Sequence, residues 1–300
     1  MFNTLLKSLR EHKKGSWLTI GFSILEILFE IVIPLCMSRL IDDGIEKSSL
    51  SVVLRYGVIL LLLAALELFA GVFSARTAAR ASAGFAANLR SDMYDKVQTF
   101  AFSNIDRFST ASIVTRLTTD VTNVQNAWQM LIRMAIRGPV MTLFSVMVSF
   151  TISQSISLVF LAVIPVLSVL LYLIIRKVHP LFGEVFQTYD QLNNVVQENI
   201  KGIRVVKSYN QEAREVKKFS GISERIYRGF SKGERLIAYN SPLMQLCMYT
   251  CLILISWLGA KAIVQSGNNA LLGLTTGQLT ALVTYAMQIL ISLMMLSMVM

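Results

Sequence analysis

Three carboxylates, Glu26, Glu30 and Glu67, stand inside apolar runs of this 300-residue sequence. Moving a carboxylate from water into hydrocarbon costs several kcal/mol, so such residues turn toward protein or water. Glu26 and Glu30 are four residues apart and share one helix face. That pair is able to attract a cationic substrate or gate a proton, while helix-to-helix hydrogen bonding is the plainer use of the same geometry. Met287, Met294, Met295, Met298 and Met300 fall in the last apolar run. Their flexible thioethers repack around varied apolar shapes, although ordinary lipid-facing methionine fits as well. Cys36, Cys247 and Cys251 also lie in apolar runs, without the spacing of a metal site or disulfide framework. No catalytic, cofactor-binding or metal-ligating set is expected on this chain.

For the acids and methionines to meet, the chain must first be placed in its solvent. Hydrophobic residues make up 54% of the sequence and charged residues 15%, with a mean hydropathy of +0.58. That balance points to lipid. The formal net charge is +10, but the basic residues gather in blocks where a membrane protein keeps its cytoplasmic loops, which argues against a nucleic-acid partner. The first apolar run follows a basic amphipathic segment and has no small-residue cleavage site, so no cleavable signal peptide is expected.

Apolar runs near 17–40, 52–75, 134–152, 157–175, 240–263 and 276–300 each reach the roughly 20 residues that cross a hydrocarbon core about 30 Å thick. Helix is the required form, because backbone groups left unpaired in lipid are costly and no alternating barrel pattern occurs. Basic residues crowd the N-terminus (Lys7, Arg10, Lys13, Lys14), the segment after the second run (Arg76 to Arg137) and the segment after the fourth (Arg176 to Arg235). The positive-inside rule puts these three in the cytoplasm and the short links after spans one, three and five outside. Phe2, Leu5, Leu6 and Leu9 share a face, so residues 1–14 are expected to form an interfacial elbow helix on the inner leaflet.

The expected fold is therefore an all-α membrane protein of six long helices, with two cytoplasmic helical hairpins built from about 60 residues each. Helical periodicity runs from the second span to about Phe100, and from the fourth through Asn194 and Ile200. A ladder of Gly71, Ala75, Ala79, Ala83 and Ala87 at i, i+4 spacing is expected to pack closely against a neighbouring helix. Ser112 is placed as the N-cap of a returning helix that starts at Ile113, and a polar turn is expected around Ser208 to Glu212. Ordering hairpins this long costs backbone entropy, which contact with a soluble partner at their tips would offset.

The stretch from Gln191 to Glu215, with Phe219 after it, strongly resembles the second intracellular loop of ATP-binding cassette (ABC) exporter transmembrane domains. Phe108 to Asp120 resembles the first loop of the same family, and the resemblance continues in Arg133 to Pro139 and the Leu274-Thr-Thr-Gly-Gln-Leu opening of span six. The resemblance covers essentially the whole chain and implies a multidrug- or lipid-exporter-like domain, residues 15–300. It implies coupling helices that touch nucleotide-binding domains, at Phe108, Ser109, Thr110, Ala111, Ser112 and at Tyr209, Asn210, Gln211, Glu212. It further implies a second exporter half, identical or different, ATP and Mg on the partner domains, and a multi-pass place in the plasma membrane. The substrate pathway would use Glu26, Glu30, Glu67 and the methionines of span six for a hydrophobic or amphipathic substrate. No G-x-x-x-x-G-K-[ST] loop occurs in the sequence, so this chain is not expected to hydrolyse ATP by itself. It ends at Met300 within an apolar run, and the sixth helix is expected to continue. A secondary transporter or channel independent of ATP is the alternative; such proteins show interrupted helices or polar pore rings.

Overall fold

The computed structural model describes the backbone of residues 2–101, 110–268 and 273–299, and the side chains of 5–101, 112–268 and 273–296. All regular structure among them is helical. Six helical stretches are long and apolar enough to cross a membrane: Arg10–Ile45, Leu50–Gln98, Ser112–Ile152, Gln154–Lys201, Glu212–Ser266 and Thr276–Leu296. The first five contain the expected spans in the expected order, and the sixth covers 276–296 of the expected 276–300. The helix Leu50–Gln98 has 49 residues and Gln154–Lys201 has 48, which at about 1.5 Å per residue makes each about 70 Å long. Both outrun the bilayer. Pro34, Pro139, Pro165 and Pro180 lie inside helices that pass through them.

The chain divides into two compact units, Met1–Phe160 with Leu252–Met300, and Leu161–Cys251. In the first unit, the first and second spans run side by side. Thr19 Oγ1 donates to Thr77 Oγ1 at 2.9 Å, and the Ser23 and Ser74 hydroxyls are 2.7 Å apart. A Cβ on Gly15 would stand 3.3 Å from Cβ of Ala81. The contacting stripe is Ala70, Ser74, Ala78, Ser82 and Ala86, all buried. The expected ladder is thus one residue out of register: Gly71 and Ala75 are half-buried, and Ala79, Ala83 and Ala87 are exposed. Both ladders admit a close helix. The winning one also carries serines, and Ser82 reaches Gln129 Oε1 at 3.2 Å, so hydrogen bonds in a low-dielectric interface break the tie.

Among the described residues, two apolar clusters hold this unit together. Leu9, Phe85, Ala86, Leu89 and Val121 form one, with Leu5, Leu6 and Trp128 packed on it. Leu5, Leu6 and Leu9 of the N-terminal segment thus pack on protein. Ser8 donates to Asp92 at 2.6 Å, and Arg10 bonds the same carboxylate. The other cluster joins spans one, three and six through Ile27, Ile31, Met141, Ala281 and Tyr285.

The first hairpin returns through a helix that begins at Thr110. The chain is already helical at Thr110, so Ser112 lies inside the helix and is not its N-cap. Phe108 and Ser109 lie outside the described residues, as do the side chains of Thr110 and Ala111. Two π-helical segments, Arg116–Asp120 and Leu131–Ala135, punctuate the return path.

In the second unit, Val185, Ile222 and Ile226 form the core of the other hairpin, with Leu192, Val195 and Phe230 around them. Phe230 meets the Phe182 ring at 5.5 Å and the Tyr189 ring at 6.0 Å, both edge-on. Asn199 donates to Glu215 at 3.1 Å and Lys218 to Glu198 at 3.0 Å near the tip. The tip holds more helix than the expected polar turn. Gly202 interrupts the chain, a short helix Ile203–Ser208 follows, and Glu212 starts the return. Asn210 makes the reversal with φ of +51°, a left-handed conformation that asparagine tolerates.

Candidate functional site

Arg137 decides how the buried acids are arranged. Its Nη1 donates to Glu26 Oε1 and its Nη2 to Glu30 Oε2, each at 2.6 Å. The three side chains are 28%, 11% and 24% exposed, so removing one partner would strand a largely buried charge. Glu26 and Glu30 share a face of the first span as their spacing requires, and the guanidinium fork fits two carboxylates one turn apart. From the sequence, Arg137 counts only as one more cytoplasmic positive charge. The structure sets it in helix Ile136–Ile152, within the third span. A signal was available: two acids on one apolar face need a counter-ion, and Arg137 is a base at the edge of an apolar run.

The π segment Leu131–Ala135 ends just before Arg137. A π turn holds one residue more than an α turn and rotates the helix beyond it. Arg133 and Arg137, four apart, accordingly serve different cavities. Arg133 lines an open groove of about 520 Å³ with Glu26, Ala64, Glu67, Leu68, Gly71, Val72 and Ala75. Arg137 lines a smaller pocket of about 150 Å³ with Glu30, Met134, Met141, Gln288, Ser292 and Met295. The three predicted acids are thus gathered around the first span, and Met295 joins them from the sixth. Met287 and Met294 are exposed and line neither cavity. Met298 belongs to helix Thr276–Val299, but its side chain, like the whole of Met300, lies outside the described residues. Sequence reasoning missed Gln288, whose Oε1 is buried with no hydrogen-bond partner.

Polar links tie the sixth span to the first and third. Tyr285 donates its hydroxyl to the Ile31 carbonyl at 2.6 Å, and the Thr142 and Ser292 hydroxyls are 2.9 Å apart. At the far end of the first span, Asp42 accepts from Thr275 Oγ1 at 2.7 Å and from the Gly277 N–H at 2.8 Å. Thr275 and Gln278 cap each other reciprocally, both bonds 3.2 Å, a capping box that closes the first turn of the sixth span. Gly277 is required: a Cβ there would run into the Ser38 carbonyl oxygen.

At the second hairpin tip Tyr209 is 73% exposed, directly after the short helix. A groove of about 340 Å³ in the same hairpin is walled by Val196, Ile200, Ile203, Val206, Val216 and Phe219, together with Asn199 and Glu215.

The family model for the ABC transporter transmembrane region matches residues 16–294. The chain belongs to that family. Its transmembrane region is an ABC exporter transmembrane domain, a multi-pass membrane protein of six helices. It is 31% identical over 88% of its length to an uncharacterized ABC transporter ATP-binding protein of Bacillus subtilis, covering 45% of that protein. A Mycobacterium tuberculosis protein of the same description is 24% identical over 98% of the chain and 50% of its own length. The ATP-dependent lipid A-core flippase of Pseudomonas aeruginosa is 26% identical over 60% of the chain and 30% of that protein. The chain spans about half the length of the first two of these relatives. As an ABC transporter domain, it places its Arg137 cluster among spans one to three and six, and its exposed Tyr209 at a hairpin tip.

Proposed function

We propose that this domain is the substrate-translocating half of an ATP-driven exporter that moves a hydrophobic or amphipathic substrate by alternating access. The observation that carries the reading is the pair of uninterrupted helices about 70 Å long, Leu50–Gln98 and Gln154–Lys201, in a chain of the ABC transporter family. Continuous helices carry a displacement from one end to the other without absorbing it, as a transmission between nucleotide-binding domains and a membrane cavity demands. ATP and Mg belong to those partner domains; the relatives described as ATP-binding proteins favour this. A second half, identical or different, would complete the pathway.

Residues 108–113 and 209–213 are the coupling elements in this reading, with Tyr209 as the anchor of the second. The basic segments 1–14, 76–133 and 176–235 face the cytoplasm of a plasma membrane, with 1–14 as an elbow along the inner leaflet. The test is Tyr209→Ala in the full-length transporter carrying this domain. An interface aromatic contributes about 2 kcal/mol or more, so the variant inserts normally but loses substrate-stimulated ATPase activity and transport. Wild-type expression with wild-type transport removes Tyr209 from the coupling path, and poor expression assigns it to packing of its own hairpin.

A further inference from the structure

No Asp or Glu occurs between Glu11 and Glu26 or between Glu67 and Asp92, yet Lys13, Lys14, Arg76, Arg80 and Arg90 fall in those two intervals. The acids at the cytoplasmic ends of the intervals are engaged elsewhere, Glu11 by Asn88 and His12, and Asp92 by Ser8 and Arg10. Lys14, Arg76 and Arg80 are exposed and make no salt bridge among the described residues. All three face one way. The first and second spans pack antiparallel through Gly15 against Ala81, Thr19 against Thr77 and Ser23 against Ser74, and Lys14, Arg76 and Arg80 each stand one residue before such a contact. On two antiparallel right-handed helices, the residue before a contact turns about 100° to the same flank on both. Ser82, one residue after Ala81, accordingly lies on the other flank, where it reaches Gln129. The same rule puts Leu18, Phe22 and Phe73 deeper in the membrane on the flank of the cations. Phe22 and Phe73 do meet across the two helices, ring centroids 5.6 Å apart, and the Phe69 ring is 4.3 Å from that of Phe73.

We propose that this flank holds one anionic phospholipid as a resident lipid, with its phosphodiester on Lys14, Arg76 and Arg80 and an acyl chain along Phe22, Phe69 and Phe73. Depth selects the partner. Trp17, 73% exposed at the start of the first apolar run, marks the headgroup level at which an indole sits. Exposed cations at that level with no carboxylate to neutralise them match a negative headgroup, and a guanidinium pairs with phosphate oxygens through parallel N–H donors. Beneath the cations, Leu18 and Phe69 are exposed and offer an acyl chain an apolar surface to lie on. The lipid is a fixed component and not cargo: its flank is turned away from Val72 and Ala75 of the Arg133 groove, which follow the contact residues Gly71 and Ser74. That the inner leaflet supplies the lipid rests on the sidedness proposed above; the binding itself does not.

The test is native mass spectrometry of the full chain in detergent, titrated with dioleoyl phosphatidylglycerol and dioleoyl phosphatidylcholine, which share acyl chains and differ in headgroup charge. One phosphatidylglycerol should be retained about tenfold more tightly than phosphatidylcholine. Arg76→Gln combined with Arg80→Gln should abolish that preference and leave phosphatidylcholine unchanged, whereas Arg76→Lys combined with Arg80→Lys should keep most of it. Arg176→Gln combined with Lys177→Gln removes the same charge just past the fourth apolar run and should have no effect. Phe69→Ala should weaken both lipids, and excess inorganic phosphate should displace neither. Equal retention of the two lipids overturns the proposal, and so does a loss in the Arg176 and Lys177 variant that matches the loss in the Arg76 and Arg80 variant. Displacement by phosphate overturns it by making the flank a plain anion site, and retention of neither lipid overturns it by leaving the flank to a helix of a second half. The measurement needs no ATP, so a negative result leaves the coupling role of Tyr209 standing, and a silent Tyr209→Ala leaves this site standing.

Discussion

Glu26, Glu30 and Arg137 form an ion triple whose members come from two helices far apart in sequence. Removing the base leaves two carboxylates without their shared counter-charge, and breaking a buried pair from one side typically costs about 3–5 kcal/mol. Arg137→Ala should therefore lower the thermal unfolding midpoint of the purified chain sharply, and Arg137→Lys should recover only part, since an ammonium does not reproduce the fork. Adding Glu30→Gln to Arg137→Ala should restore some of the loss. If Arg137→Ala melts like the wild type, the triple holds nothing together. Tyr285→Phe is a milder case. It removes one buried hydrogen bond to the Ile31 carbonyl, worth about 0.6 kcal/mol inside a membrane bundle, and a change that small should be visible only as a modest shift in melting.

Helix pairing in the first unit depends on which small residues are inside. Ser74 is fully buried and bonded to Ser23, whereas Ala79 is exposed in the chain. Ser74→Leu should destabilise by about 1–3 kcal/mol through overpacking and the stranded Ser23 hydroxyl, while Ala79→Leu stays within about 0.5 kcal/mol. Melting of the two variants side by side checks the register; equal losses would place both ladders in contact. The clasp between the first and sixth spans offers a second check. Gly277→Ala forces a methyl onto the Ser38 carbonyl and displaces Asp42 from the helix terminus, and should lower stability more than Thr276→Ala, one residue away.

For the whole molecule, the charge pattern sets a sidedness that intact cells can report. In a cysteine-free background, single cysteines at positions 47 and 268 should react with an impermeant maleimide from outside. One at position 210 should react only after permeabilisation. External labelling of position 210 would reverse the topology and, with it, the assignment of Tyr209 to a cytoplasmic partner. The sidedness rests on where Lys and Arg fall relative to the spans, so it is independent of any contact within either unit.

Span number, span order and the two very long helices were legible in the sequence, because lipid enforces helix on any long apolar run and periodicity continues past the bilayer without a breaker. The pairing of Glu26 with Glu30 was legible too, as a consequence of their four-residue spacing. Their counter-ion was not: Arg137 lies more than a hundred positions away, and no local rule links the first span to the third. The one-residue choice between Ala70, Ser74, Ala78 and Gly71, Ala75, Ala79 was equally hidden, since both stripes have the same period and the decision came from the hydroxyls on the partner helix. The π turn at Leu131–Ala135 carries no composition cue either, yet it sends Arg133 and Arg137 to different cavities. Local chemistry specified the elements and the solvent that each face tolerates. Which face met which neighbour, and so which acids gained a basic partner, was decided by tertiary packing, where contacts distant in sequence are weighed together.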